Sequence, residues 1–72
     1  MSKETFMIEE ITKEMVMQLM NDKNLSMQDA LQTVYTSDTY AKLIDLNTGL
    51  YFQSTAYVYE YLMNEISVGK MI

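Results

Sequence analysis

Apolar residues recur every three or four positions along the first third of the chain. Ile8, Ile11, Met15 and Leu19 are spaced by three, four and four, which is the period of an amphipathic α-helix. Polar residues occupy the opposite side of such a helix. The pattern predicts a first helix over about residues 4–21.

Polar clusters and capping residues divide the rest of the chain. The segment from Asn21 to Ser26 reads as the first connection, and Ser26, three positions before Asp29, resembles a capping box. Asn47 and Gly49 supply a left-handed signal that ends a helix. We therefore expect one all-α domain over residues 1–72, whose last residues after Gly69 fray unless Met71 and Ile72 dock on a neighbouring chain. It forms a small bundle of three to four helices at about 4–21, 26–36, 38–46 and 55–67.

The two middle helices are each predicted to bury one side. The apolar residues that define those sides are Met27, Ala30, Leu31, Val34 and Tyr35 in the second helix, and Tyr40, Leu43 and Ile44 in the third. The long first helix is expected to pack against the fourth, with the two short helices closing one end.

Tyrosines fall at every second position in the last segment, at Tyr57, Tyr59 and Tyr61, as they would in a strand. No other segment of the chain alternates, and a lone strand leaves its backbone groups unpaired, so we reject this reading. In a helix, Tyr59 joins the core side, while Tyr57 and Tyr61 stack on the flank beside Glu65. The residues predicted for the core side are Val58, Tyr59, Leu62, Met63 and Ile66.

The small size of the chain raises the question of what stabilises it. A domain of 72 residues buries only about 60% of the surface of its unfolded chain. Cysteine and histidine are both missing from the sequence, so disulfides and the usual zinc ligands are excluded. Apolar residues make up 49% of the chain, too many for a disordered protein. Oligomerisation is the remaining common means of stabilisation.

The charge balance limits the classes of partner. Ten acidic residues face five lysines and no arginine, for a net charge of −5, and the lysines are dispersed. Binding to nucleic acid or to an anionic membrane needs clustered cations, so we expect neither. The opening residues include acids where a signal peptide would be apolar, and no stretch is long enough to span a membrane. A cytoplasmic location is expected.

We find no arrangement of residues that supports catalysis. Without histidine or cysteine, a nucleophile would need serine, lysine or a carboxylate, and no serine lies in a recognisable catalytic motif. The segment from Asp45 to Ala56 looks briefly like a calcium-binding loop. However, Gly49 stands at its fifth position rather than its sixth, and Ala56 replaces the bidentate glutamate. We expect no enzymatic activity, no metal and no cofactor.

Eight methionines form the most unusual feature of the composition. They can fill an irregular core, or they can form an adaptable docking face on the first helix, built from Val16, Met17 and Met20. Tyr57 and Tyr61 likewise either cover the edge of the core or anchor an interface. These five residues are the interface candidates.

The residues "LSMQDALQTVYTSDTYAKLIDLNTGLYFQSTAYVYEYL", from Leu25 to Leu62, resemble a group of short bacterial proteins catalogued as a domain of unknown function. The resemblance implies a small cytoplasmic helical protein whose genomic neighbours resemble toxins or ADP-ribosyl-transferring proteins. It carries no catalytic residue with it.

Three functions follow as hypotheses. The first is a non-enzymatic interaction module that homodimerises through the first helix and the flank formed by Tyr57 and Tyr61. The second is an acidic, antitoxin-like partner that neutralises a basic or toxin-like protein encoded nearby. The third is a small helix-turn-helix regulator, which would present two acids and one lysine to DNA in the segment "SDTYAKLID", a poor match to a phosphate backbone.

Overall fold

The computed structural model describes residues 2–68, and within them the chain is almost entirely helical. It confirms the predicted all-α bundle. The expected fraying after Gly69 lies outside the described residues. The helices are α1 (Lys3–Lys23), α2 (Met27–Tyr35), α3 (Asp38–Ile44) and α4 (Thr55–Val68), and two short 3-10 turns, Leu46–Thr48 and Leu50–Phe52, join α3 to α4.

Side-chain caps set the ends of α1 to α3. The Oγ of Ser2 accepts a hydrogen bond from the backbone N–H of Thr5 at the start of α1. The expected cap at Ser26 opens α2, and Ser37 opens α3 in the same way, which satisfies donors that a helix N-terminus leaves unpaired. Helix α1 ends at Asn24, which has a left-handed φ of 54°.

The predicted stripe of α1 lies in the core. Ile11, Met15 and Leu19 are buried, and Ile8 is half-buried against them. Helix α1 contacts α4 as expected, but it packs most extensively against α2. The reason is the connection between α1 and α2, which is only three residues long, from Asn24 to Ser26, and therefore makes the two helices antiparallel neighbours.

The connection between α3 and α4 folds down onto the core. Gly49 has a φ of +71° between the two 3-10 turns, a conformation that residues with a Cβ rarely adopt. Leu50 and Tyr51 follow it and are buried. The hydroxyl of Thr48 donates to the carbonyl oxygen of Lys42 at 2.6 Å and closes the end of α3.

The last helix resolves the question of the alternating tyrosines. Val58, Tyr59 and Leu62 are buried, and the hydroxyl of Tyr59 donates to a carboxylate oxygen of Asp22 on α1 at 2.8 Å. The assignment of Tyr59 to the core is confirmed. The assignment of Ile66 was wrong, because this residue is 40% exposed, one turn beyond the last buried contact of α4.

A carboxylate on α4 provides a second cap for α3. Glu65 accepts hydrogen bonds from the backbone N–H groups of Asp38 and Thr39, at 2.7 and 2.9 Å, and from the hydroxyl of Thr39 at 2.8 Å. Burial alone raises the pKa of Glu65, but these hydrogen bonds outweigh it, so the pKa is lowered. The helical pattern predicted that Glu65 lies beside Tyr57 and Tyr61, but it gave no sign of the contact with α3.

Candidate functional site

An open apolar groove of about 560 Å³ runs between α1 and α2, with Tyr40 of α3 also on its wall. It exists because α2 is much shorter than α1 and leaves part of one face of α1 uncovered. The residues that line it are Ile8, Glu9, Thr12, Lys13, Val16, Met17, Met20, Met27, Leu31, Tyr35 and Tyr40.

Large apolar side chains at the mouth of the groove remain in contact with solvent. Met17 on α1 and Met27 on α2 are each 61% exposed, and Tyr35 is also exposed. The rings of Tyr35 and Tyr40 meet edge to face, with centroids 4.9 Å apart, which favours a fixed orientation of both rings. The groove therefore combines one rigid aromatic pair with flexible thioethers.

The structure brings together the three interface candidates of the first helix. Val16, Met17 and Met20 all line the groove. Val16 is only 6% exposed and belongs to the buried core, although the sequence suggested surplus surface there. Met20 is half-buried. Of the three, Met17 offers most of its surface to solvent.

The two tyrosine candidates line a different depression. Tyr57 and Tyr61 share it with Glu60 and Asn64 on α4. Their ring centroids are 5.4 Å apart and their hydroxyl oxygens 3.4 Å apart, so the expected stacking on the flank is confirmed. The hydrogen bond with Tyr61 raises the pKa of Tyr57. The candidate residues therefore belong to two separate surface depressions.

The wall of the groove that α2 contributes was not predicted from the sequence. Met27 and Tyr35 were assigned to a buried stripe, which was wrong, because both are exposed at the mouth of the groove. Ala30 and Val34, in the middle of the same stripe, are fully buried. Met27, Leu31 and Tyr35 follow one another at intervals of four along one edge of the apolar side and form the wall. Ala30 and Val34 lie along the neighbouring edge, which is buried in the core.

Charged residues lie only at the α1 edge of the groove. Glu9 and Lys13 are both exposed and line it. The Nζ of Lys13 lies 3.6 Å from an oxygen of Glu10, which is the one ion pair among residues 2–68. The pKa of Tyr40 is raised by burial first, and then by Tyr35 and Glu9.

The groove is suited to apolar contacts with a partner. Thr12, the buried polar residue on its wall, donates its hydroxyl to the carbonyl oxygen of Ile8 at 2.7 Å and is satisfied within α1. Residues 2–68 contain no group of three or more acidic, histidine or cysteine side chains placed to hold a metal ion. In the same residues, no helix has both the length and the apolar character needed to cross a membrane.

Comparisons of the chain with protein families, with curated proteins and with solved structures found no match in any of the three. The resemblance over residues 25–62 therefore stays a prediction. The groove is therefore the feature of the molecule from which a function can be inferred.

Proposed function

We propose that this protein is a non-enzymatic interaction module that homodimerises through the groove between α1 and α2. The observation that carries the proposal is the set of large apolar side chains at the mouth of the groove, above all Met17 and Met27, each 61% exposed. Contiguous apolar surface of this kind marks docking sites on small proteins. A cytoplasmic location belongs to the same proposal.

The balance of buried and exposed side chains supports association. Among residues 2–68, twelve apolar residues are buried while ten large apolar residues remain exposed. A core this small stabilises a domain only marginally, and a second chain that covers the groove adds apolar burial without lengthening the sequence. Helical packing against a methionine-rich groove is a common form of recognition.

Light scattering across a hundredfold dilution tests the proposal. We expect the molar mass of a dimer for the wild type and for Gln18→Glu, because Gln18 is exposed on α1 but does not line the groove. We expect a large loss of dimer for Met17→Glu, which places a charge against an apolar partner. A wild type that stays monomeric at every concentration, or a Met17→Glu protein that dimerises normally, contradicts the proposal.

The depression beside Tyr57 and Tyr61 is the other candidate surface for self-association. Tyr61→Glu, measured in the same dilution series, separates the two surfaces. If the dimer persists in Tyr61→Glu and dissociates in Met17→Glu, the groove holds the partner and the tyrosines cover the edge of the core. The opposite pattern would move the interface to α4.

One observation favours a second candidate function, an antitoxin-like partner for a basic protein. Within residues 2–68, Glu10 is the one acidic side chain that forms an ion pair, although the chain carries ten acids. The carboxylates among these that are exposed and accept no hydrogen bond from another helix can meet a cationic surface. Pull-downs with the products of neighbouring genes test this function, and a complex whose affinity does not change at high salt would contradict its electrostatic form.

A further inference from the structure

We propose that the two chains of the dimer place their α1 helices antiparallel across the groove, so that Glu9 of each chain faces Lys13 of the other. In the same arrangement, Phe6 of each chain enters the groove of the other chain beside Met17. This inference depends on the proposed homodimer and specifies the geometry of its interface.

The four residues form one exposed stripe along α1. Phe6, Glu9, Lys13 and Met17 follow one another at intervals of three, four and four positions, which keeps them on one side of the helix. Phe6 is 57% exposed and continues the stripe toward the N-terminus, beyond the residues that line the groove. Roughly 16 Å separate Phe6 from Met17 along the helix axis, at 1.5 Å per residue.

The order of residues in the stripe is complementary to itself when it is reversed. From one end it reads apolar, acidic, basic and apolar. Two chains related by a two-fold axis pair residue i with j and j with i, so an antiparallel arrangement pairs Glu9 with Lys13 twice. A parallel arrangement would instead place Glu9 against Glu9 and Lys13 against Lys13. Charge complementarity therefore identifies a second copy as the occupant and determines its direction.

A single register satisfies both kinds of contact. The midpoint between Glu9 and Lys13 is residue 11, and the midpoint between Phe6 and Met17 lies between residues 11 and 12. One two-fold axis that passes through the exposed stripe at the height of residues 11–12 therefore brings the aromatic ring of each chain to the thioether of the other. Sulfur and aromatic rings attract one another at this kind of contact.

The charged residues of the stripe are available for such a pairing. Glu9 forms no ion pair within residues 2–68. The pair between Lys13 and Glu10 is exposed at both ends, with side-chain exposures of 64% and 45%. Exposed pairs of this kind contribute little, so Lys13 can turn toward a second chain at small cost.

Single charge reversals provide the test. Glu9→Lys has Lys at positions 9 and 13 and Lys13→Glu has Glu at both, so each variant alone would place like charges opposite one another twice. We expect the dissociation constant of each variant dimer to rise by about tenfold or more at low salt. An equimolar mixture of the two variants restores both opposite-charge pairs. We therefore expect heterodimers with an affinity close to that of the wild type.

The mixture separates pairing between chains from effects within one helix. A change in the helical stability of either variant would persist after mixing, because each chain keeps its own substitution. Phe6→Ala tests the aromatic contact and should weaken the dimer, whereas Phe52→Ala is its control, because Phe52 is 66% exposed and does not line the groove. Circular dichroism verifies that all four variants are folded.

The possible outcomes distinguish this geometry from the function on which it rests. A wild-type dimer whose single variants are not rescued by mixing would overturn the antiparallel pairing and leave the homodimer in place. Single variants that dimerise as tightly as the wild type would also overturn the pairing. A wild type that is monomeric throughout would remove both the homodimer and its geometry. The pairing is supported if each single variant dimerises more weakly than the wild type and the equimolar mixture dimerises about as tightly as the wild type.

Discussion

Replacing Glu65 with alanine should destabilise the protein more than replacing an exposed acidic residue of the same helix, such as Glu60. The carboxylate of Glu65 connects α4 to the start of α3 through three hydrogen bonds, to the backbone N–H groups of Asp38 and Thr39 and to the hydroxyl of Thr39. Thr39 is fully buried, so its side chain has no water with which to replace the lost acceptor.

The magnitude follows from the number and exposure of these bonds. A hydrogen bond to a charged group contributes about 1.5 to 3 kcal/mol, and a capping side chain about 0.5 to 2 kcal/mol. We add these two contributions. Because Glu65 is half-exposed and water competes for its carboxylate, we take the lower part of the summed range. We expect Glu65→Ala to lower the free energy of unfolding by about 2 to 3 kcal/mol and Glu65→Gln, which keeps one acceptor oxygen, by about 1 kcal/mol.

Such a loss is a large part of the total stability of a chain this size, which is roughly 4 to 11 kcal/mol at typical values per residue. Urea unfolding followed by circular dichroism, at one fixed protein concentration, measures it. Glu60→Ala is the matched control, because Glu60 is exposed on the same helix and makes no side-chain hydrogen bond within residues 2–68. Equal losses for Glu65→Ala and Glu60→Ala would refute the reasoning.

The contribution of Glu65 also has a defined dependence on pH. Its pKa in the folded protein is lowered from the ordinary value of 4.5, so the unfolded chain takes up the proton first as the pH falls. The stabilisation is therefore complete above about pH 4.5 and disappears as the pH falls through the lower pKa of the folded state. The difference in stability between the wild type and Glu65→Gln should shrink in that acidic range, and a constant difference would contradict this account.

Three further results are expected. Tyr59→Phe removes the hydrogen bond to Asp22 and should lower the free energy of unfolding by about 1 to 2 kcal/mol. Burial and that bond raise the pKa of Tyr59. In an alkaline absorbance titration, the tyrosine that ionises at the highest pH should therefore be missing from the variant. Asn24→Ala, at a φ of 54°, should cost about 1 kcal/mol in thermal or urea unfolding, whereas Asn24→Gly should not. At a protein concentration low enough to keep the chain monomeric, dilute hydrogen peroxide should oxidise Met17, which is exposed in the single chain, well before Met15, which is fully buried, as peptide mass spectrometry can measure.

Each of these results has a clear contrary outcome. An unchanged unfolding midpoint for Tyr59→Phe would mean that the hydroxyl is equally well satisfied by water. If the alanine and glycine variants at Asn24 were equally stable, the left-handed backbone conformation would not be the cause of the stability loss. If Met15 and Met17 of the folded protein were oxidised at the same rate, this would contradict the buried position of Met15 and the exposed position of Met17 at the groove.

Much of the fold follows from local rules that a sequence carries. The stripe from Ile11 to Leu19 needs only the helical period, and the caps at Ser26 and Ser37 need only a side-chain oxygen three positions before a free N–H group. The left-handed residue at Gly49 follows from the chemistry of glycine itself. These features depend on contacts within a few positions of the chain, so the pattern of residues is sufficient to predict them.

The candidate site depended on contacts that the pattern does not contain. Periodicity identified Met17 and Met20 as surplus apolar surface on α1, but it could not show that Met27 and Tyr35 would form the opposite wall. Those two residues occupy the same apolar side of α2 as Ala30, and only the packing of the folded chain separates the edge that borders the groove from the edge that is buried.

The sequence by itself determined an acidic, all-helical chain, the places where its helices begin, and the presence of more apolar surface than one small core can bury. The tertiary structure decided which helices are neighbours, that Glu65 caps a helix 26 and 27 positions earlier, and that part of the surplus surface, including Met17, Met27 and Tyr35, borders one groove. Helical period and capping act over one or two turns, whereas these contacts join residues far apart in the chain. Their energies depend on packing, and packing is defined only when the whole chain is folded.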